Sequence, residues 1–95
     1  MSIYPSLSSL FQLSKYIKDK KKLLSDEEKK IEAENFIEKC KNLLSLTIQT
    51  EDEKFMVLSF LSINENIIEW SISNCSENTA NSFKNYKYNF INNKN

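Results

Sequence analysis

Apolar residues recur at intervals of three and four along four stretches of this chain, which is the spacing of an α-helix. In the second stretch Phe36, Cys40 and Leu43 share one face, and in the third Phe60 and Ile67 lie on a common stripe. The spacing predicts helices over residues 5–22, 26–46, 51–74 and 77–91. The third has the widest apolar stripe, so we expect it to be the central helix.

Capping residues mark the helix starts, because the chain has no glycine and one proline. Residues 25–28 read Ser-Asp-Glu-Glu, a capping box in which each end of the motif satisfies a backbone amide of the other. Thr-Glu-Asp-Glu at residues 50–53 repeats the arrangement, and Ser76 is a weaker start. We therefore predict an all-α fold, an antiparallel four-helix bundle. It would form a single helical domain over residues 1–91 with a frayed, Asn-rich tail at residues 92–95.

Residues 45–75 also allow an α+β alternative with a short antiparallel meander. Residues 46–50 alternate between apolar and polar, and residues 55–63 and 67–73 are rich in strand formers around Asn-Glu-Asn at 64–66. A tight hairpin favours Asn-Gly or Asp-Gly at its turn, and this chain offers neither. The helical interpretation is therefore preferred.

The composition removes most catalytic motifs. The chain has no glycine and no histidine, which leaves no phosphate-binding glycine loop and no Ser-His or Cys-His couple. Two cysteines without histidine do not make a zinc site. The carboxylate pairs Glu34/Glu38 and Glu65/Glu69 lie on predicted polar faces, where nothing raises a carboxyl pKa for acid-base catalysis. We expect no enzyme, no cofactor and no bound metal.

We expect a cytoplasmic protein without a membrane partner. The first residues lack the basic and apolar regions of a secretory signal. The longest apolar stretch, residues 55–63, contains two serines and is shorter than the ~20 residues that span a bilayer.

The second predicted helix carries one apolar residue on its acidic side. At 100° per residue, Ile31 lies opposite the stripe of Phe36 and Cys40. An apolar anchor ringed by polar groups is typical of a protein-protein contact, although single exposed isoleucines are common and Leu23 or Leu24 could cover it. We predict that the partner-binding surface consists of Glu27, Ile31, Glu34, Glu38, Glu65 and Glu69.

No motif identifies a family. In size, composition and lack of catalytic groups the chain resembles toxin-neutralising immunity proteins and antitoxins, a likeness that attaches to no particular residue. The resemblance implies a non-enzymatic inhibitor that covers the active surface of another protein, for which a toxin with a basic surface is the expected partner.

Two alternatives stay open. One is a nucleic-acid-associated helical regulator that uses Lys15, Lys18, Lys20, Lys21 and Lys22. It is disfavoured because the acidic second helix follows directly and would repel phosphates. The other is a structural bundle that associates with itself as a homo-oligomer.

Overall fold

The fold is known from a computed structural model that describes residues 3–46 and 50–92. These residues form five α-helices: α1 (Tyr4–Lys20), α2 (Asp26–Ser45), α3 (Glu51–Ile63), α4 (Glu65–Asn74) and α5 (Glu77–Asn92). A 3-10 turn, Lys21–Leu23, follows α1, and the described ranges contain no strand. The all-α prediction is confirmed, and the meander is absent from the described part of residues 45–75. Of the predicted tail, Asn92 ends α5 and residues 93–95 lie outside the described residues.

The predicted capping box begins α2, and at the start of α3 the side-chain cap of Thr50 is present. At the start of α2, the amide of Glu28 donates to the Ser25 hydroxyl over 3.2 Å, and the amide of Ser25 donates to the Glu28 carboxylate over 2.9 Å. The second of these hydrogen bonds lowers the pKa of the Glu28 carboxyl. At the start of α3, the amide of Glu53 donates to the Thr50 hydroxyl over 3.1 Å. Local sequence therefore fixes where α2 and α3 begin.

The third predicted helix is interrupted at Asn64, so the four-helix bundle is not confirmed. Asn64 has φ −103° and ψ 19°, outside the helical values, and both its backbone amide and its side-chain amide donate to the carbonyl of Phe60 over 3.0 Å. Its Oδ1 accepts from the Ser14 hydroxyl of α1 over 2.5 Å. Asn64 is only 8% exposed, so the break lies inside the molecule.

The central helix is α2, and the expectation that the third predicted helix would be central is wrong. α2 packs against α1, α4 and α5, and makes the most contacts with other helices. The stripe of the third predicted helix is divided at Asn64 between α3 and α4, and each half packs less extensively against other helices than α2 does. The buried residues of α2 are Ala33, Phe36, Ile37, Cys40, Leu43 and Leu44.

Contacts between aromatic rings and charged groups give the relative directions of the helices. The Phe11 and Phe60 rings meet edge to face with centroids 5.1 Å apart. About one turn further along both helices, Ser14 is hydrogen-bonded to Asn64, so α1 and α3 run in the same direction. Lys41 lies 5.8 Å from the centre of the Tyr86 ring.

Among the described residues, no helix combines the length and the apolar character needed to cross a bilayer.

Candidate protein-binding site

An open groove of about 480 Å³ lies between α4 and α5. Its floor is apolar and consists of Leu61, Ile68, Ile72 and Phe83. All except Ile72 are buried, and Ile72 is half-buried. The volume falls within the ~300–1,000 Å³ of common ligand sites, so the groove can receive several side chains of a partner. We call this groove, with its rims, the α4–α5 groove.

The two rims of the α4–α5 groove carry opposite charges. Glu65 and Glu69 stand one helical turn apart on α4, and Lys84 and Lys87 stand one turn apart on α5. Lys87 is half-buried and the other three are exposed. Within residues 3–46 and 50–92 no ion pair joins the rims, so all four charges face an unfilled space.

Only two of the predicted partner-binding residues, Glu65 and Glu69, line this groove. Ile31 is 65% exposed and Glu27 is exposed, so neither Leu23 nor Leu24 buries Ile31. Both lie on α2, which contributes no residue to the lining of the groove.

Glu38 and Glu34 are also on α2, and both have hydrogen-bond partners within the fold. The Glu38 carboxylate forms an ion pair of 3.2 Å with Lys41. Glu34 accepts a hydrogen bond from the backbone amide of Ser76 over 2.9 Å, and others from the hydroxyls of Ser76 and Thr79. These hydrogen bonds, the Ser76 amide first, lower the pKa of the Glu34 carboxyl. Glu34 therefore fastens α2 to the beginning of α5.

Sequence reasoning missed the basic rim and the apolar floor of the groove. Phe83 is a buried residue of α5, but the apolar spacing along residues 77–91 does not indicate that α4 lies across the groove from Lys84 and Lys87. The available signal was the pair of lysines three residues apart next to a core position, opposite a pair of glutamates four residues apart.

A second groove, of about 460 Å³, lies between the first halves of α1 and α3. Its rims carry the exposed aromatic residues Tyr4, Phe11 and Phe55, and no charged residue lines it. We call it the α1–α3 groove. The basic cluster lies elsewhere, at the end of α1 and in the 3-10 turn, where Lys18, Lys20 and Lys22 are exposed.

Comparison of the chain with models of protein families, with curated proteins and with solved structures found no match.

Proposed function

We propose that this protein is a non-enzymatic inhibitor that binds another protein in the cytoplasm and covers its active surface, as immunity proteins and antitoxins do with their toxins. The supporting observation is the α4–α5 groove, in which an apolar floor lies between two rows of charges that no described ion pair joins. Ile72 is the floor residue that keeps apolar surface exposed, and its burial by a partner would contribute to affinity at roughly 25 cal/mol per Å² before the costs of association.

The charges on the rims of the groove would affect the rate at which the partner associates. Glu65 and Glu69 are exposed and would attract a basic surface of the partner, which raises the association rate more than the affinity. This retains the part of the predicted surface that borders an apolar floor. The residues of α2, Ile31 among them, lie outside this proposed contact.

We propose that the inhibitor is an antiparallel four-helix bundle, in which α3 and α4 together take the place of one helix that is interrupted at Asn64. The common direction of α1 and α3 supports this arrangement. The direction of α5 relative to α2 supports it too. Glu34 is hydrogen-bonded to Ser76 at the start of α5, and Lys41, two turns further along α2, contacts Tyr86, so α2 and α5 also run in the same direction.

The test compares capture of the partner by the tagged wild-type protein with capture by two variants. Ile72→Lys puts a charge on the floor of the groove, and Ile31→Ala shortens the exposed residue of α2. We expect one protein from the native host to be captured by the wild type and by Ile31→Ala, and to be lost with Ile72→Lys. Circular dichroism must show that both variants keep the wild-type helix content.

The purified partner then decides whether the protein inhibits. One equivalent of wild-type protein should abolish the partner's activity, whereas the same amount of Ile72→Lys should leave that activity unchanged. A partner whose activity does not change on binding would contradict the inhibitor proposal. Capture that survives Ile72→Lys and fails with Ile31→Ala would move the site to α2.

A second candidate function is self-association through the α1–α3 groove. It is favoured by the exposed aromatic residues Tyr4, Phe11 and Phe55, because monomers seldom expose a contiguous apolar patch of this kind. Sedimentation equilibrium of the wild type and of Phe55→Glu tests it. A dimer that becomes a monomer in Phe55→Glu would support self-association, and a wild-type monomer at all concentrations would exclude it.

A further inference from the structure

We propose that the α4–α5 groove binds an amphipathic helix of the partner, with a cationic flank against Glu65 and Glu69 and an anionic flank against Lys84 and Lys87. This inference rests on the function proposed above and adds the kind of partner segment. It follows from the dimensions of the groove, from the backbone groups around it and from the order of its charges.

The lining residues of α4 run from Glu65 to Ser73. At ~1.5 Å per residue this is ~12 Å of helix, which a partner helix of two or three turns would match. Of the two floor residues of α4, Ile68 is only 4% exposed and Ile72 is half-buried, so Ile72 presents most of the apolar surface that a partner helix can contact. An apolar residue of the partner helix that packs against Ile72 places the two flanks of that helix over the charged rims.

A helix suits this groove better than an extended segment. An extended segment over the apolar floor would need hydrogen-bond partners for its own amides and carbonyls. Residues 65–74 and 77–92 are helical, so their backbone groups are largely used within α4 and α5. A helix satisfies its own backbone and presents only side chains to the groove.

The order of the rims determines which flanks the helix needs. Turning a helix end for end in a groove exchanges its left and right flanks. A helix with one cationic and one anionic flank therefore matches Glu65/Glu69 and Lys84/Lys87 in one direction only. A helix with the same charge on both flanks places like charges against one of the two rims, whichever direction it takes. The groove is thus selective for a mixed-charge helix and sets its direction.

Three labelled synthetic peptides of equal length and with the same leucine stripe test this inference against the full-length protein. The first has a lysine flank and a glutamate flank, the second has lysine on both flanks, and the third has glutamate on both. Fluorescence anisotropy at low salt should show that the mixed peptide binds about tenfold more tightly than either of the other two, and this difference should shrink at high salt.

Protein variants control for differences in helix content among the peptides. Lys84→Glu with Lys87→Glu makes both rims acidic, so the double-lysine peptide should become the tightest binder by a similar factor. Exchanging the charges of all four rim residues should restore the preference for the mixed peptide and reverse its direction. A spin label at the peptide's amino terminus reports that direction through broadening of amides near Glu65 or near Asn74.

The inference is wrong if the three peptides bind equally, if none binds, or if the rim variants leave the order of affinities unchanged. Such a failure is separable from failure of the proposed function. A captured partner that is inhibited by the wild type but not by Ile72→Lys would uphold the inhibitor even where no helical peptide binds. Absence of any inhibited partner would reject the inhibitor whatever the peptides do.

Discussion

Ser76 begins α5 with a hydrogen bond that its own helix does not provide. In a capping box a glutamate three residues after the cap accepts from the cap's backbone amide, but residue 79 is threonine. The Thr79 amide donates to the Ser76 hydroxyl over 3.2 Å, which is one half of the box. Glu34 of α2 completes the other half by accepting from the Ser76 amide. A side chain that local reasoning assigns to the surface therefore joins two helices.

Replacing Glu34 with Ala should lower the free energy of unfolding by about 1–3 kcal/mol, because Ser76 and Thr79 would lose an ionised acceptor. Urea unfolding at neutral pH measures the change. Glu38→Ala is the matched control, since Glu38 lies one turn further along α2 and makes a partly exposed ion pair with Lys41 within that helix. We expect a loss below about 0.5 kcal/mol there, and equal losses would contradict the joining role of Glu34.

The lowered pKa of Glu34 also predicts how this contribution depends on pH. A carboxyl group with a lower pKa in the folded than in the unfolded state stabilises the fold above its unfolded pKa. The stabilisation is lost as the pH falls through the folded pKa. From about pH 6 to about pH 3, the wild type should therefore lose more stability than Glu34→Gln does. Parallel curves for the two proteins would show that the Glu34 charge contributes nothing.

At the scale of the helices, the sequence predicts what is decided locally. The Ser25 box and the Thr50 cap lie within four residues of the amides that they satisfy, and both starts were found correctly. The preferred helical interpretation missed the break at Asn64, because the Asn64 side chain is held by Ser14, fifty residues earlier. No proline or glycine marks the position, and the apolar stripe continues on both sides of it. Tertiary hydrogen bonding overrides the continuous periodicity there.

The break should therefore depend on Ser14. Ser14→Ala would leave Oδ1 of the buried Asn64 without its partner, at a cost of about 1–3 kcal/mol in unfolding free energy. Ser9→Ala is the control, because Ser9 is exposed on the same helix and should change stability by less than about 0.5 kcal/mol. A double-mutant cycle with Asn64→Ala measures the coupling, and a coupling of zero would contradict the contact.

Two phenylalanines of α3 differ only in where the helix points them. Phe60 is 0% exposed and meets the Phe11 ring, whereas Phe55 is 70% exposed. Phe60→Ala should cost about 3–5 kcal/mol in unfolding free energy because it leaves a cavity. Phe55→Ala should cost less than about 1 kcal/mol. Thermal and urea unfolding of the two variants test this, and similar losses would mean that α3 is rotated about its axis.

At the scale of the whole molecule, the predicted site was divided by the packing of α5. The helical wheel correctly left Ile31 outside the core. It could not indicate that α5 would stand beside α4, which gives Glu65 and Glu69 an apolar floor and a basic counterpart in Lys84 and Lys87. Nor could it indicate that Glu34 would meet Ser76. The nature of each residue was readable, but its neighbours depended on helix packing.

The distribution of charge over the molecule also bears on the nucleic-acid alternative. Lys18, Lys20 and Lys22 are exposed, but they lie at the carboxyl end of α1 and in the 3-10 turn that follows it, where cations are favourable near the helix dipole. The first turn of α2 follows within six residues and carries three acids, which repel a phosphate backbone. The cluster therefore offers a small basic area beside an acidic one.

We expect duplex DNA and structured RNA to bind no better than about 10⁻⁴ to 10⁻⁶ M at physiological salt, the range of non-specific contacts. Anisotropy titrations of the wild type and of a variant with Gln at Lys18, Lys20 and Lys22 measure this. The variant should bind more weakly, and the salt dependence of its binding should fall by at most about three counterions, because three lysines are removed. Sequence-selective binding that is tighter than this range and is lost in the variant would make the nucleic-acid regulator the better explanation. Capture of the protein partner should be unchanged in the same variant, since none of these lysines lines the α4–α5 groove.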